Sequence, residues 1–226
     1  VRASRIAYNR LNGSFANINP NQIDWEKALE GADYFHWTGI SPGISESAYI
    51  ALKKGLQTAN EKGIEITADP AYRSNLWKYG KEGFEVLKEL VSYSTIFIGG
   101  VNEINEIIGT KFSSDKESFI EACKEFQKQM PSIKKIFDKV RVGASASTQE
   151  TQGRAWANET YFESEPIEIL QVVDRIGTGD AFAAGLIYGL LNFDDETALQ
   201  FGNAACAIKH TVPGDINHCS ASDILD

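Results

Sequence analysis

Short β-prone runs alternate with longer helical segments along most of this chain, and that alternation limits the folds open to it. "DYFHWTG" (33–39), "IEITADP" (64–70), "STIFIGG" (94–100) and a run near 136–142 read as strands. Between them, "SESAYIALKKGLQTANEKG" (45–63), a segment around 80–92, "NEINEIIG" (102–109) and a segment at 115–130 read as helices. "DWEKALEGA" (24–32) opens on a capping Asp24 and reads as a short helix. Strands separated by helices of this length predict an α/β fold, with a mostly parallel sheet covered on both faces. Two stretches break the rhythm. "ASRIAYNRLNGSFANI" (3–18), with an Asn-Gly pair, reads as a hairpin or two short strands of a small appended sheet. "GRAWANETYFES" (153–164) reads as a hairpin turning at Asn158-Glu159.

Composition removes several function classes. The 226 residues are 42% hydrophobic and 23% charged, as in soluble globular proteins. A net charge of −9 argues against a nucleic-acid surface, which needs a basic face for phosphates. It leaves room for a nucleotide, because one phosphate site needs only a few local donors. Cys123, Cys206 and Cys219 are odd in number and widely spaced, which fits neither a disulfide framework nor a zinc site. A reducing, cytoplasmic location is expected. No apolar run approaches the roughly 20 residues of a membrane span, and "VRASRIAYNR" has no apolar signal region. His36, His210 and His218 lack metal-ligand spacing and read as packing groups or supports for other side chains. Trp25, Trp37, Trp77 and Trp156 read as core or lid residues.

"VVDRIGTGDAFAAG" (172–185) carries the chemistry. A strand end, glycines at 177 and 179 and the start of a helix over roughly 180–192 place bare N–H groups and a positive dipole end together, a site suited to phosphate. Asp180 in the same turn repels phosphate. It is suited instead to take a proton from an alcohol attacking phosphorus, the second requirement of phosphoryl transfer. On this pattern alone, an ordinary N-cap role for Asp180 is an equal reading. A second helix follows over 194–209.

The stretch "VVDRIGTGDAFAAGLIYGLL" resembles the D-x-x-G-x-G-D signature of the ribokinase-like (PfkB) carbohydrate kinases, with Asp174, Gly177, Gly179 and Asp180 in the matching places. "YNR" (8–10), "FHWTGI" (35–40), "ADPAYRSNLW" (68–77) and "KHTVPGD" (209–215) are similar to segments of the 2-keto-3-deoxygluconate kinases in that family. The resemblance runs along essentially the whole chain. It implies a three-layer ribokinase-like core over 19–226 and part of a small β lid over 1–18. It also implies that the family's N-terminal sugar-binding glycine pair and early sheet strands lie outside this sequence, which is expected to be an incomplete record of a longer enzyme.

The same resemblance assigns roles. Asp180 is the catalytic base, and Gly177, Thr178 and Gly179 form the anion hole. Tyr8, Arg10, Arg73 and Asp215 bind the sugar acid, and Asn102, Gly143, Ser145 and Asn203 face the nucleotide. ATP and Mg²⁺ are the implied cofactors, with no direct protein ligand to the metal. The implied partners are a small sugar acid and further copies of the chain, as a dimer or higher homo-oligomer joined through the lid, with no nucleic acid and no membrane. Physical grounds stand beside several of these assignments. Tyr8 and Arg10 share one face of a strand, and a carboxylate suits an Arg fork with a hydroxyl donor. Arg73 follows a strand end, where ligand-facing loops of α/β sheets sit. Solvated, structural or turn-stabilising roles are the alternatives for each.

Two positions depart from the family pattern. Ala71 stands where Asn is usual, and Asn105 where the Glu of N-x-x-E is expected. The implied reaction is ATP-dependent phosphorylation of 2-keto-3-deoxygluconate at its terminal hydroxyl. The competing readings are a fructokinase- or ribokinase-type kinase, a non-catalytic sugar- or nucleotide-binding module, and an α/β domain whose glycine turn holds another anion.

Overall fold

The structure, a computed structural model, describes residues 10, 13–143 and 149–225. Tyr8, Ser145 and most of the expected lid strands over 3–18 lie outside the described residues, and residues 13–17 form turns and a bend. The chain divides into two compact units, Val1–Lys135 and Ile136–Asp226.

The first unit is built on three parallel strands. After α1 (Trp25–Ala28) comes β1 (Tyr34–Thr38). The short α2 (Ile40–Ile44) and the long α3 (Glu46–Glu61) lead to β2 (Glu65–Asp69), and α4 (Gly83–Val91) leads to β3 (Ile96–Ile98). β1 and β2 pair in register from Tyr34–Glu65 to Thr38–Asp69, and β2 pairs with β3 through Thr67–Ile96 and Ala68–Phe97. Then come α5 (Val101–Ile108) and α6 (Lys116–Gln129). The cap at Asp24 is the one expected from the sequence, and Ser45 and Asp115 cap α3 and α6 in the same way. Asp24 accepts from the Lys27 N–H, Ser45 from Ala48 and Asp115 from Ser118. α2, "ISPGI", carries a Pro and a Gly yet is helical. Pro42 sits in the first turn, where a missing N–H costs no helical hydrogen bond.

Burial follows from the pattern. Leu56, Ile66, Leu90, Phe97, Ile104, Phe119 and Phe126 are fully enclosed, and the Phe97 and Phe126 rings meet at 4.7 Å between centroids. Trp37 is buried, with its indole N–H on the Ser94 hydroxyl at 3.0 Å. Trp25 and Trp77 are half-buried.

The loop after β2 bends through Ala71, whose φ of 36° lies in the left-handed region. Ala takes that backbone at a cost of about 1–2 kcal/mol, whereas Asn tolerates it. Ala71→Asn is therefore expected to raise stability by about 0.5–1 kcal/mol. Thermal melting checks this, as a gain of about 2–4 °C per kcal/mol for a chain of this size; an unchanged or lower midpoint would contradict the strain.

The second unit is antiparallel around β5. β4 (Lys135–Gly143) neighbours β5 (Gln149–Ala157), which pairs antiparallel with both β6 (Thr160–Glu163) and β7 (Ile167–Ile169). Asn158 and Glu159, at φ 51° and 58°, make the tight turn that the sequence placed there. A two-residue connection can join only antiparallel strands, as the hairpin expected over 153–164 requires. β7 is three residues long and carries no period that a sequence reading could detect. Two helices of small residues follow, α7 (Thr178–Asn192) and α8 (Asp195–Lys209), and then the short α9 (Ala221–Leu225). α7 and α8 pack closely because Gly185, Gly189 and Gly202 leave no room for side chains; a Cβ on Gly189 would stand 2.5 Å from Ala198 Cα. Among the described residues, no helix is long and apolar enough to cross a membrane.

Candidate active site

The corner at 174–180 is fixed by backbone demands. Gly177 caps α7 with φ 78°, and a Cβ there would stand 2.3 Å from the Asp215 carbonyl oxygen. The helix starts at Thr178, two residues earlier than the sequence suggested, so Asp180 is its third residue and not its N-cap. That rules out the capping alternative. Thr178 is buried and turns its hydroxyl back to the Arg175 carbonyl at 3.1 Å. Gly179 and Asp180 are exposed, and nothing lies within 4 Å of where a Cβ on Gly179 would project. The Asp180 carboxylate has no hydrogen-bond partner among the described residues. An open helix N-terminus thus carries an accessible carboxylate beside it.

Asp174 ties this corner to the turn that follows α8. Its Oδ1 accepts from the Arg175 and Ile176 N–H groups at 2.7 and 3.1 Å, and its Oδ2 from the Gly214 N–H at 2.9 Å. The N–H groups of Ile176 and Gly214, with that of Arg175, hold its carboxyl below the usual carboxylate range. The backbone N–H groups of Val173 and Asp174 also donate to the His210 carbonyl, at 2.8 and 3.2 Å. Asp215 is exposed, directly after Gly214. The structure therefore brings Gly177, Thr178, Gly179, Asp180 and Asp215 into one neighbourhood. Asp174 was legible in the motif, but its part as the staple was not.

In the first unit, Arg10 and Arg73 line one small pocket, about 10 Å³ in volume, with Ile40, Asn75 and Leu76. Arg73 is exposed and also donates to the Tyr72 carbonyl at 3.0 Å. Two guanidinium groups therefore border one small pocket. Asn75, Ile40 and Leu76 carried no signal in the sequence beyond their neighbourhood to Arg73.

The nucleotide-side residues separate. Asn102 is exposed on the first turn of α5. Glu103 caps that helix, accepting from the Gly100 N–H at 3.0 Å. Asn105 closes the following loop, donating to the Phe112 carbonyl and accepting from the Phe112 N–H, both at 2.9 Å. An exposed Asn102 leaves its side-chain oxygen open to a metal ion or to a metal-bound water. Gly143 ends β4, and Ser145 lies outside the described residues. Asn203 is fully buried and donates to the Thr151 and Glu165 carbonyls at 3.1 and 3.0 Å, so neither amide hydrogen is left for an adenine ring.

His210 is fully buried, and its Nδ1 lies 2.8 Å from the Cys206 carbonyl. A carbonyl only accepts, so Nδ1 carries the proton and Nε2 is a bare acceptor with no partner among the described residues. Burial pushes the imidazole below its ordinary range, and the charges of Arg141, Lys139 and Arg175 act in the same direction. The unfolded chain therefore takes up this proton near pH ~6.5 while the folded chain does not. Stability is expected to fall as pH drops from that value, by about 1.4 kcal/mol per pH unit, until the lowered folded value is reached. Denaturant titrations near pH 7.5 and 5.5, the span that the ~6.5 unfolded value divides, check this. His210→Gln should flatten the acid-side loss, and an equal loss in both proteins would refute it.

Residues 4–222 match the pfkB family of carbohydrate kinases. The chain belongs to that family. It is 31% identical to the 2-dehydro-3-deoxygluconokinase of Thermotoga maritima in a crystal structure, which superposes with a TM-score of 0.90 over 99% of this chain and 69% of that one. The fold is ribokinase-like accordingly. A 2-dehydro-3-deoxygalactonokinase from Haloferax volcanii is 27% identical over 95% of the chain, and a 2-dehydro-3-deoxygluconokinase from Bacillus subtilis 24% over 94%. The pfkB-family chain spans 63% and 61% of the lengths of these two relatives.

Proposed function

We propose that this chain provides the phosphoryl-transfer corner and the acid-recognition subsite of a kinase that phosphorylates a 2-keto-3-deoxy sugar acid, 2-keto-3-deoxygluconate before others, at its terminal hydroxyl with ATP. The pocket lined by both Arg10 and Arg73 carries the choice of an acid over a neutral sugar: positive charge at its wall favours a carboxylate. Relatives named for keto-deoxy sugar acids support the same class.

In this reading the Asp180 carboxylate accepts the proton of the attacking hydroxyl as the oxygen–phosphorus bond forms and ADP departs. The N–H groups of Gly179 and Asp180, with the dipole of α7, take the growing charge on the transferred phosphoryl. Asn102 would contact a water of a magnesium ion brought with ATP, an ion that would offset charge on the phosphates. Asp215 meets the sugar hydroxyls.

The test is ADP release by the full-length protein with 2-keto-3-deoxygluconate, its galacto epimer, fructose and ribose. The acids should exceed the neutral sugars by about 10²-fold in kcat/KM, the scale of one or two charge-assisted hydrogen bonds. Equal turnover of fructose would overturn the acid assignment. Binding of ATP and sugar without magnesium-dependent turnover would favour a non-catalytic module, a reading that the use of Asn105 for loop closure supports.

A further inference from the structure

Lys209 ends α8 with no exposed surface. Its ammonium donates to the Val212 carbonyl at 2.9 Å and the Gly214 carbonyl at 2.7 Å. A buried ammonium survives only when oxygen atoms replace its water. Those two carbonyls belong to the turn whose Gly214 N–H is held by Asp174. The next residue, Asp215, sets its carbonyl where Gly177 tolerates no side chain. A positive charge, a carboxylate and two main-chain oxygens therefore knit the 212–215 turn to the start of α7.

We infer that Lys209 is a positioning residue: its buried ammonium serves as a built-in cation that holds the 212–214 turn, and through that turn it sets Asp215 and the amides at 177–180. The catalytic consequence rests on the proposed phosphoryl-transfer role of that corner, whereas the structural consequence does not. Lys209 touches no reacting atom in this arrangement. It acts by keeping an oxygen-lined cradle filled. Removing the side chain to the Cβ leaves two carbonyl oxygens and the Asp174 charge around a space that a small soluble cation fits.

Two variants of the full-length protein test the inference, Lys209→Ala and Lys209→Met, the second replacing the ammonium by an apolar tail of similar length. Hydrogen exchange over 172–178 and 210–216 is read first. Both variants should exchange there about tenfold faster or more, with α3 and α6 unchanged. Added ethylammonium should restore protection in Lys209→Ala and not in Lys209→Met, where the space is filled. In ADP release, Lys209→Ala should lose about 10–100-fold in kcat, with KM for the sugar acid nearly unchanged, and ethylammonium should recover much of it. Unchanged exchange at 172–178, equal acceleration throughout the chain, or no response to the amine would each overturn the positioning role. If Lys209→Ala does not fold, the exchange pattern of Lys209→Met decides. If the unaltered protein releases no ADP, the kinase reading fails while the exchange measurement still judges Lys209.

Discussion

Asp180→Asn is expected to lower kcat by about 10³-fold while leaving the KM for ATP and the fold close to those of the parent, a loss within the range for a general base. The side chain is exposed on the first turn of α7 and holds no other group among the described residues, so its removal breaks no packing. The amide keeps the shape but cannot take the proton of the sugar hydroxyl. Some stability is lost because a carboxylate near the positive end of a helix contributes about 0.3–1 kcal/mol. Steady-state ADP release paired with thermal melting separates the two effects. A variant that keeps the parental kcat would remove Asp180 from the chemistry, and one that unfolds would make it structural.

Gly177→Ala should damage both stability and turnover. The position holds φ 78°, where an L side chain costs about 1–2 kcal/mol. The added methyl would also stand 2.3 Å from the Asp215 carbonyl oxygen, which is main chain and cannot rotate away. The turn and the helix start must therefore separate. A total of about 2–3 kcal/mol and a fall in midpoint of about 5–10 °C follow. At temperatures where the variant is folded, kcat should drop by about 10²-fold, since a displacement near 1 Å in a positioned site has that effect. Melting and turnover measured together test the claim; normal values for either would mean that the close approach does not set the corner.

The two variants share one feature that made the corner readable in advance. A glycine turn before a helix of small residues has few backbone solutions, so the sharp turn and helix start at 177–180 could be expected without coordinates. The helix cap Asp24 was legible for a similar reason: it acts on an N–H three residues away. The duty of Asn203 was not legible. An Asn on a helix of small residues looks available to a ligand, and only the approach of Thr151 and Glu165, distant in sequence, shows its amide engaged. Asn105 was noted as a departure, yet its loop-closing bonds to Phe112 appear only in three dimensions.

Taken by itself, the sequence determined what depends on near neighbours: the α/β alternation, the Asp24 cap, the Asn158-Glu159 turn and the glycine corner with its carboxylate. Those features arise from backbone sterics and hydrogen bonds that span a few residues, which a linear pattern records. The tertiary structure alone decided that Arg10 and Arg73 share a cavity, that Asp174 reaches Gly214 and that Lys209 is buried on two carbonyls. Each of these depends on segments brought together by burial of apolar surface, and burial acts on area without regard to sequence distance.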